Sequence, residues 1–228
     1  MKIKRMIGIT AWLALSICLP AGTPLSAPHK TPQFISPGVV RASDIQYPVN
    51  SMAAGAVSLL LSVDSSGKIQ NIRILREFPS LTTSVENAVQ TWTLTPAILN
   101  GRAVSSELPV TAIFNIFNPA GGAAYQSLVL APPNAIPVED SQFAPPRINM
   151  ASFAKYPADS VSVGTVVLDV TVSKAGNLSN IEVIRGVPTL TEQAIIAIKT
   201  WGFIAATIQG QPTDAQMVIA FVFQRNMS

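Results

Sequence analysis

A constant offset of 109 residues governs this chain: Tyr47-Pro48 recurs as Tyr156-Pro157, and the register then holds without a gap. Gly55 falls on Gly164, Gly67 on Gly176, Pro79 on Pro188, Trp92 on Trp201 and Phe114 on Phe223. From Tyr47 to Phe114, 20 of 68 positions are identical in the second copy, where chance at ordinary composition gives roughly four. One unit has been duplicated, so whatever local structure the first copy encodes the second must encode again.

Within a copy the hydrophobic period changes in a fixed order. Val57, Leu59, Leu61 and Val63 alternate with Ala56, Ser58, Leu60 and Ser62, which predicts a strand with one buried face. The second copy repeats it with Val166, Leu168, Val170 and Val172 inward and Thr165, Asp169 and Thr171 outward. Asp64-Ser65-Ser66-Gly67 and Ser173-Lys174-Ala175-Gly176 read as turns whose glycine supplies a positive φ. Second strands follow at Ile69 to Arg76 and Leu178 to Arg185, ended by Pro79 and Pro188. Near Asn71 and Asn180 the inward pattern slips by one residue, which predicts a β-bulge.

The period then becomes helical. Leu81, Val85, Ala88, Val89 and Trp92 form one stripe, matched by Leu190, Ala194, Ala197, Ile198 and Trp201. Both tryptophans are expected in the core, and Thr82 and Thr191 are candidate N-caps. Gly101 and Gly210 mark a turn before a third strand near Leu108 to Phe117 and Met217 to Gln224. The expected fold class is α+β: two tandem small domains, each a three-stranded, mostly antiparallel sheet under one main helix, in the order β-β-α-β after a short helical turn.

The boundaries read as 1–27, an N-terminal export segment; 28–37, a Pro-rich lead; 38–117, the first domain; 118–146, a Pro-rich linker; and 147–228, the second domain. Ser127 to Leu130 could add a short extended segment within the linker. The export reading rests on Lys2, Lys4 and Arg5 ahead of the apolar stretch Met6 to Leu19, with Ala21 or Ala27 at the cut. Cleavage leaves a periplasmic protein; retention anchors it to the inner membrane. Those three basic residues carry the whole net charge of +3, and the remainder balances 12 basic against 12 acidic groups. A nucleic-acid surface is therefore not expected. The single cysteine, Cys18, lies in the export segment, which excludes a disulfide framework.

Catalytic sets are missing from the pattern. The one histidine, His29, stands in the Pro-rich lead, where no core could tune it, and no Cys/His cluster has zinc spacing. The carboxylates Asp64, Asp169, Glu182, Glu192 and Asp214 form no repeated pair. The reading is a non-enzyme with no cofactor, no metal and no small-molecule substrate.

Tyr-Pro, a Gly-x-Val-x-Leu strand, a glycine turn, Pro-x-Leu, a helix ending in tryptophan, and a later Ala and Gly together resemble the C-terminal domain of the TonB family. The residues that carry the resemblance are Tyr47-Pro48, Gly55, Val57, Gly67, Pro79, Leu81, Ala88, Trp92, Pro96-Ala97 and Gly101. The second copy matches through Tyr156-Pro157, Gly164, Val166, Gly176, Pro188, Leu190, Ala197, Trp201, Ala206 and Gly210, with Ala205 in place of Pro96. The resemblance implies a periplasmic protein-binding module that takes an extended peptide of an envelope protein, such as a TonB-dependent outer-membrane transporter, as an extra strand.

The third strand is the expected docking edge. Pro109 removes a donor from it in the first copy, whereas Val218 keeps one in the second, so Met217, Val218, Ile219, Ala220, Phe221, Val222 and Phe223 are the candidate partner-binding strand. Arg76 and Arg185, which recur at strand ends, are candidate partners for a peptide carboxylate or backbone. Two alternatives stand beside this one. In the first, the two third strands pair with each other into an intramolecular pseudo-dimer of structural or assembly function. The second is an atypical energy transducer. That activity needs a serine and a histidine within a membrane anchor; here Ser16 is followed by Pro20, and His29 lies outside the apolar stretch.

Overall fold

The computed structural model describes residues 33–49, 51, 53–117, 143–157 and 159–225. The export segment and the extended segment expected at Ser127 to Leu130 lie outside the described residues. The first half contains β1 (Phe34–Ile35), β2 (Gly38–Arg41), β3 (Gly55–Val63), β4 (Ile69–Arg76), α1 (Thr82–Val89), β5 (Thr93–Thr95), β6 (Ala97–Leu99), β7 (Arg102–Val104) and β8 (Ser106–Phe117). The second half repeats the series as β9 (Phe143–Ala144), β10 (Arg147–Met150), β11 (Gly164–Val172), β12 (Leu178–Arg185), α2 (Thr191–Ile198), β13 (Gly202–Ile204), β14 (Ala206–Ile208), β15 (Gln211–Thr213) and β16 (Ala215–Arg225).

The fold is α+β, but the two expected sheets are one. β3 pairs antiparallel with β4 and β8, and β11 with β12 and β16. β8 and β16 then lie side by side and parallel, Val110 opposite Val218 through Phe117 opposite Arg225. The result is a six-stranded sheet in the order β12-β11-β16-β8-β3-β4. The parallel seam begins one residue past Pro109, the residue of β8 that has no N–H to give.

A parallel seam between equivalent strands has a geometric consequence. The pseudo-two-fold that relates them runs along the strands, and rotation about it exchanges the faces of the sheet. The two helices therefore lie on opposite faces. Val85, Ala88 and Val89 of α1 pack with Val57, Leu59 and Leu61 of β3 and reach Val218, Ala220 and Val222 across the seam. Ala194, Ala197 and Ile198 of α2 pack with Val166, Leu168 and Val170, and with Met217, Ile219, Phe221 and Phe223 of the same β16. Successive residues of one strand thus serve opposite cores.

This arrangement corrects the expected single buried face. Ala56 and Leu60 in β3, and Thr165 and Asp169 in β11, are buried as well, because the segment leading into each half crosses to the other half and covers the face its helix leaves open. From the first lead, Val39, Ala42 and Ile45 join the α1 core beside Val167; from the second, Ile148, Ala151 and Ala154 join the α2 core beside Ala56 and Ile113. The leads are accordingly part of the repeated unit. Gln33-Phe34 and Pro37 match Gln142-Phe143 and Pro146 at the same offset of 109, upstream of the expected start and inside the expected linker. Phe34 and Phe143 meet at 4.6 Å between ring centroids, as equivalent residues must if they straddle the pseudo-axis.

Most local expectations hold, with two changes. The second strands occupy the expected ranges, and the register slips where Asn71 and Asn180 predicted a bulge, between the pairs Ser62–Asn71 and Val63–Ile69 and between Thr171–Asn180 and Val172–Leu178. The helical stripes, including Trp92 and Trp201, are buried. Thr82 and Thr191, however, are the first helical residues and not caps. Each hydroxyl instead closes the preceding turn, exchanging hydrogen bonds with the N–H and C=O of Phe78 or Val187. Short strands absent from the expected series, β5 to β7 and β13 to β15, follow each helix. In each series a hairpin turns through two positive-φ residues, Asn100-Gly101 and Gln209-Gly210.

Candidate functional site

The seven residues expected to form an open docking strand occupy the middle of the sheet. Met217 to Phe223 pair with β11 on one side, Val218 to Phe223 also pair with β8 on the other, and all seven are buried. The expected edge is closed because its own counterpart in the other half fills it. Strand addition there would require the seam to part, with the loss of the apolar burial just described.

Arg76 and Arg185 are separated by the same sheet, at the ends of its two outermost strands. Arg185 turns toward Asp44 of the first lead, Nε to carboxylate 3.7 Å. Asp44 also accepts the Thr165 N–H at 2.8 Å, and Thr165 Oγ1 bonds both backbone groups of Ile45. Arg185 thus belongs to the crossing that fastens one half to the other. Arg76 forms no ion pair among the described residues, and the position equivalent to Asp44 is Phe153.

With β8 and β16 joined, β4 and β12 are the strands of the six-stranded sheet with a partner on one side only. Beside the start of β4 a groove of about 730 Å³ runs toward the end of α1, lined by Lys68, Gln70, Glu86, Gln90 and Trp92. The indole N–H of Trp92 is buried there without a partner among the described residues, whereas that of Trp201 donates to the Ser152 carbonyl at 3.1 Å.

A second groove, about 630 Å³, lies between β2 and the outer strand β12. Its rim is aliphatic, with Ile35, Val40, Ile98 and Ile184, and its floor holds Asp169. Asp169 is 3% exposed; Oδ2 accepts the Val39 N–H at 3.1 Å and Oδ1 is buried with no hydrogen-bond partner among the described residues. Glu182 is its cross-strand neighbour on β12 and lines the same groove. Burial raises the Asp169 carboxyl to about 7, the Val39 amide pulling it back and the Glu182 charge pushing it further up.

The first half shows what this position looks like when its charges are balanced. Leu60 stands where Asp169 does, Arg73 where Glu182 does and Glu107 where Gln216 does. There Arg73 and Glu107 form an ion pair at 3.3 Å beside a buried leucine. Burial raises the Glu107 carboxyl, and Arg73 opposes the rise. Sequence reading placed Asp169 on an outer face, and alternation alone could not have done otherwise, because what covers it arrives from the other half of the chain.

Among the described residues no group of three or more His, Cys, Asp or Glu could hold a metal ion, and no helix is long and apolar enough to cross a membrane. Neither a curated protein nor a solved structure matches the chain significantly. The family model for the Gram-negative bacterial TonB protein C-terminal domain matches twice, over residues 44–116 and 155–224, together more than half of the sequence.

Proposed function

Because the chain belongs to the TonB C-terminal family, as two tandem domains of that kind, we propose that it is an envelope protein-binding module built as a covalent pseudo-dimer. The family is one of protein-interaction domains, associated with the periplasm and envelope. In this reading the chain docks extended segments of envelope or outer-membrane transport proteins on the outer strands β4 and β12. The carrying observation is the strand order: the seam consumes the third strands, and the unpaired backbone groups of the sheet lie on β4 and β12. Added strands gain main-chain hydrogen bonds, and the grooves beside each outer strand supply side-chain selectivity. β4 and β12 are equivalent by the repeat, so two peptides could dock on one molecule.

The test is a photo-cross-linking residue at Asn71 or Asn180, both exposed on these strands, used in the native envelope. Extended segments of envelope proteins joined to both sites support the module. Cross-links only to further copies of this chain would favour the structural reading, in which the joined β8 and β16 make the protein a scaffold. The energy-transducer alternative requires the first 20 residues to stay attached in the membrane, and N-terminal sequencing of the mature protein tests it: a chain that begins after Leu19 sinks that alternative.

A further inference from the structure

Duplication provides an internal control for the groove over β12. The first half sets a cation against its carboxylate, Arg73 against Glu107 Oε1, above the buried Leu60, although Glu107 Oε2 is buried without a hydrogen-bond partner among the described residues. The equivalent positions of the second half present Asp169, Glu182 and Gln216, two carboxyl groups and an amide with no cation among them. The charged groups on the neighbouring elements do not supply one. Arg185 on β12 is engaged with Asp44, and among the described residues Arg41, at the end of β2, forms no ion pair to either carboxyl. Asp169 is 3% exposed and its Oδ1 has no partner, so the floor of the groove holds an acceptor that nothing in the described chain satisfies.

A buried acceptor of this kind costs free energy unless something completes it. Where Asp169 is ionised, above about pH 7, the group that completes it must be cationic, to balance two carboxylates, and must have an apolar stem, to lie along Ile35, Val40, Ile98 and Ile184. A lysine or arginine side chain has both parts. A bare metal ion does not fit, since two carboxyls and an aliphatic rim leave its coordination shell unfilled.

We propose that the groove over β12 selects extended peptides bearing a lysine or arginine, whose charged end sits between Glu182 and Asp169. This rests on the outer-strand docking described above and names the partner chemistry for one of its two edges. The edge at β4 has no such selectivity, because Arg73 and Glu107 already neutralise each other there. The two edges of the pseudo-dimer therefore differ: one admits a basic segment and the other is indifferent to charge.

The experiment uses the purified protein and three fluorescent peptides, Thr-Val-Thr-Xaa-Thr-Val-Thr with Xaa as Lys, Met or Glu. Binding is followed by anisotropy at low salt and pH 8, where Asp169 is ionised, and the Val39 and Gly38 amides by NMR. The Lys peptide should bind about tenfold tighter than the Glu peptide, with the Met peptide between them, and only the Lys peptide should move the Val39 amide strongly. Asp169→Leu, which installs the residue of the first half, should abolish that preference. Asp169→Asn keeps the size and the Val39 contact and should weaken it, so the reading does not depend on one variant folding. Equal affinity for all three peptides, or a preference that survives both substitutions, overturns the cation selectivity and leaves outer-strand docking intact. No binding by any peptide overturns both.

Discussion

Replacing Asp169 by Asn should flatten the pH dependence of this protein's stability between about pH 4 and pH 7. The carboxyl sits at 3.8 in an unfolded chain and at about 7 when folded, raised first by burial. Between those values the folded protein holds a proton that the unfolded chain has released. Stability from this group is thus fully present below the unfolded value and is lost as pH rises through the folded one. About three pKa units at about 1.4 kcal/mol each amount to about 4 kcal/mol, a large share of the ~5–15 kcal/mol that holds a typical domain folded. Asn keeps an oxygen for the Val39 N–H, at 3.1 Å in the native chain, and cannot ionise. Urea unfolding followed by tryptophan fluorescence from pH 4 to pH 8 measures the effect as a difference between two proteins, so the other carboxyls cancel. The two stabilities should be close near pH 4 and separate progressively, the variant becoming the more stable by a few kcal/mol above pH 7. Parallel curves across that range would mean that water or a backbone shift solvates the carboxylate, and the argument from burial would fail.

Val218→Pro should unfold the protein or cost about 3 kcal/mol or more, because β16 has a paired strand on each side at that residue, so its N–H faces a neighbour whichever way it points, whereas Pro109→Val should shift stability by less than about 1 kcal/mol; urea titration compares them directly. Gly67→Ala should cost clearly more than Gly101→Ala. Both have φ near +80°, but a Cβ at Gly67 would lie 2.5 Å from the Leu94 carbonyl oxygen and one at Gly101 meets nothing within 4 Å, a contrast that thermal melts of the two variants will show. Asp44→Ala leaves the buried Thr165 N–H without its acceptor and should cost about 1–3 kcal/mol; hydrogen exchange at Thr165 should quicken more than at Val57 of the other half. Little of that cost comes from Arg185, whose 3.7 Å pair is long and about a third exposed.

Local structure was legible in the sequence wherever a single segment decides it. The alternation in β3 and β11, the slip at Asn71 and Asn180, and the stripes ending in Trp92 and Trp201 are all set by neighbours within about a dozen residues. The seam was legible only as one of two options. An apolar third strand such as Met217 to Phe223 satisfies an incoming peptide or its own duplicate equally well, and alternation does not say which. The leads were harder still. Proline-rich segments of two to four strand residues carry no periodicity, so only the 109-residue match of Gln33-Phe34 to Gln142-Phe143 could have marked them as structure. Missing the leads meant misplacing Asp169. A residue on the outward side of a strand is exposed only when nothing crosses over it, and Gly38–Arg41 does cross.

The unequal fates of Leu60 and Asp169 also explain what covalent duplication allows that a homodimer does not. In a symmetric dimer of the ancestral unit, a substitution at this position appears on both sides of the pseudo-axis. A buried carboxyl that costs stability at neutral pH would then be incurred twice, which doubles the loss. In one chain only the second half carries Asp169, while the first keeps Leu60 and a neutral Arg73–Glu107 pair. The linker between the halves adds to this, since it holds the seam together at an effective concentration that a separate subunit would have to supply in solution. The stable half can therefore brace the costly one through the shared β8–β16 seam. Asymmetry follows at the contacts around it too: Thr165 and Asp44 bind the first lead to the second half, where Ala56 and Phe153 have no equivalent bonds to offer. Over the first half the Ala154 N–H of the second lead turns instead to Asn115 Oδ1, at 3.1 Å. Two copies of one fold have thus been free to diverge at the one face where each is covered by the other.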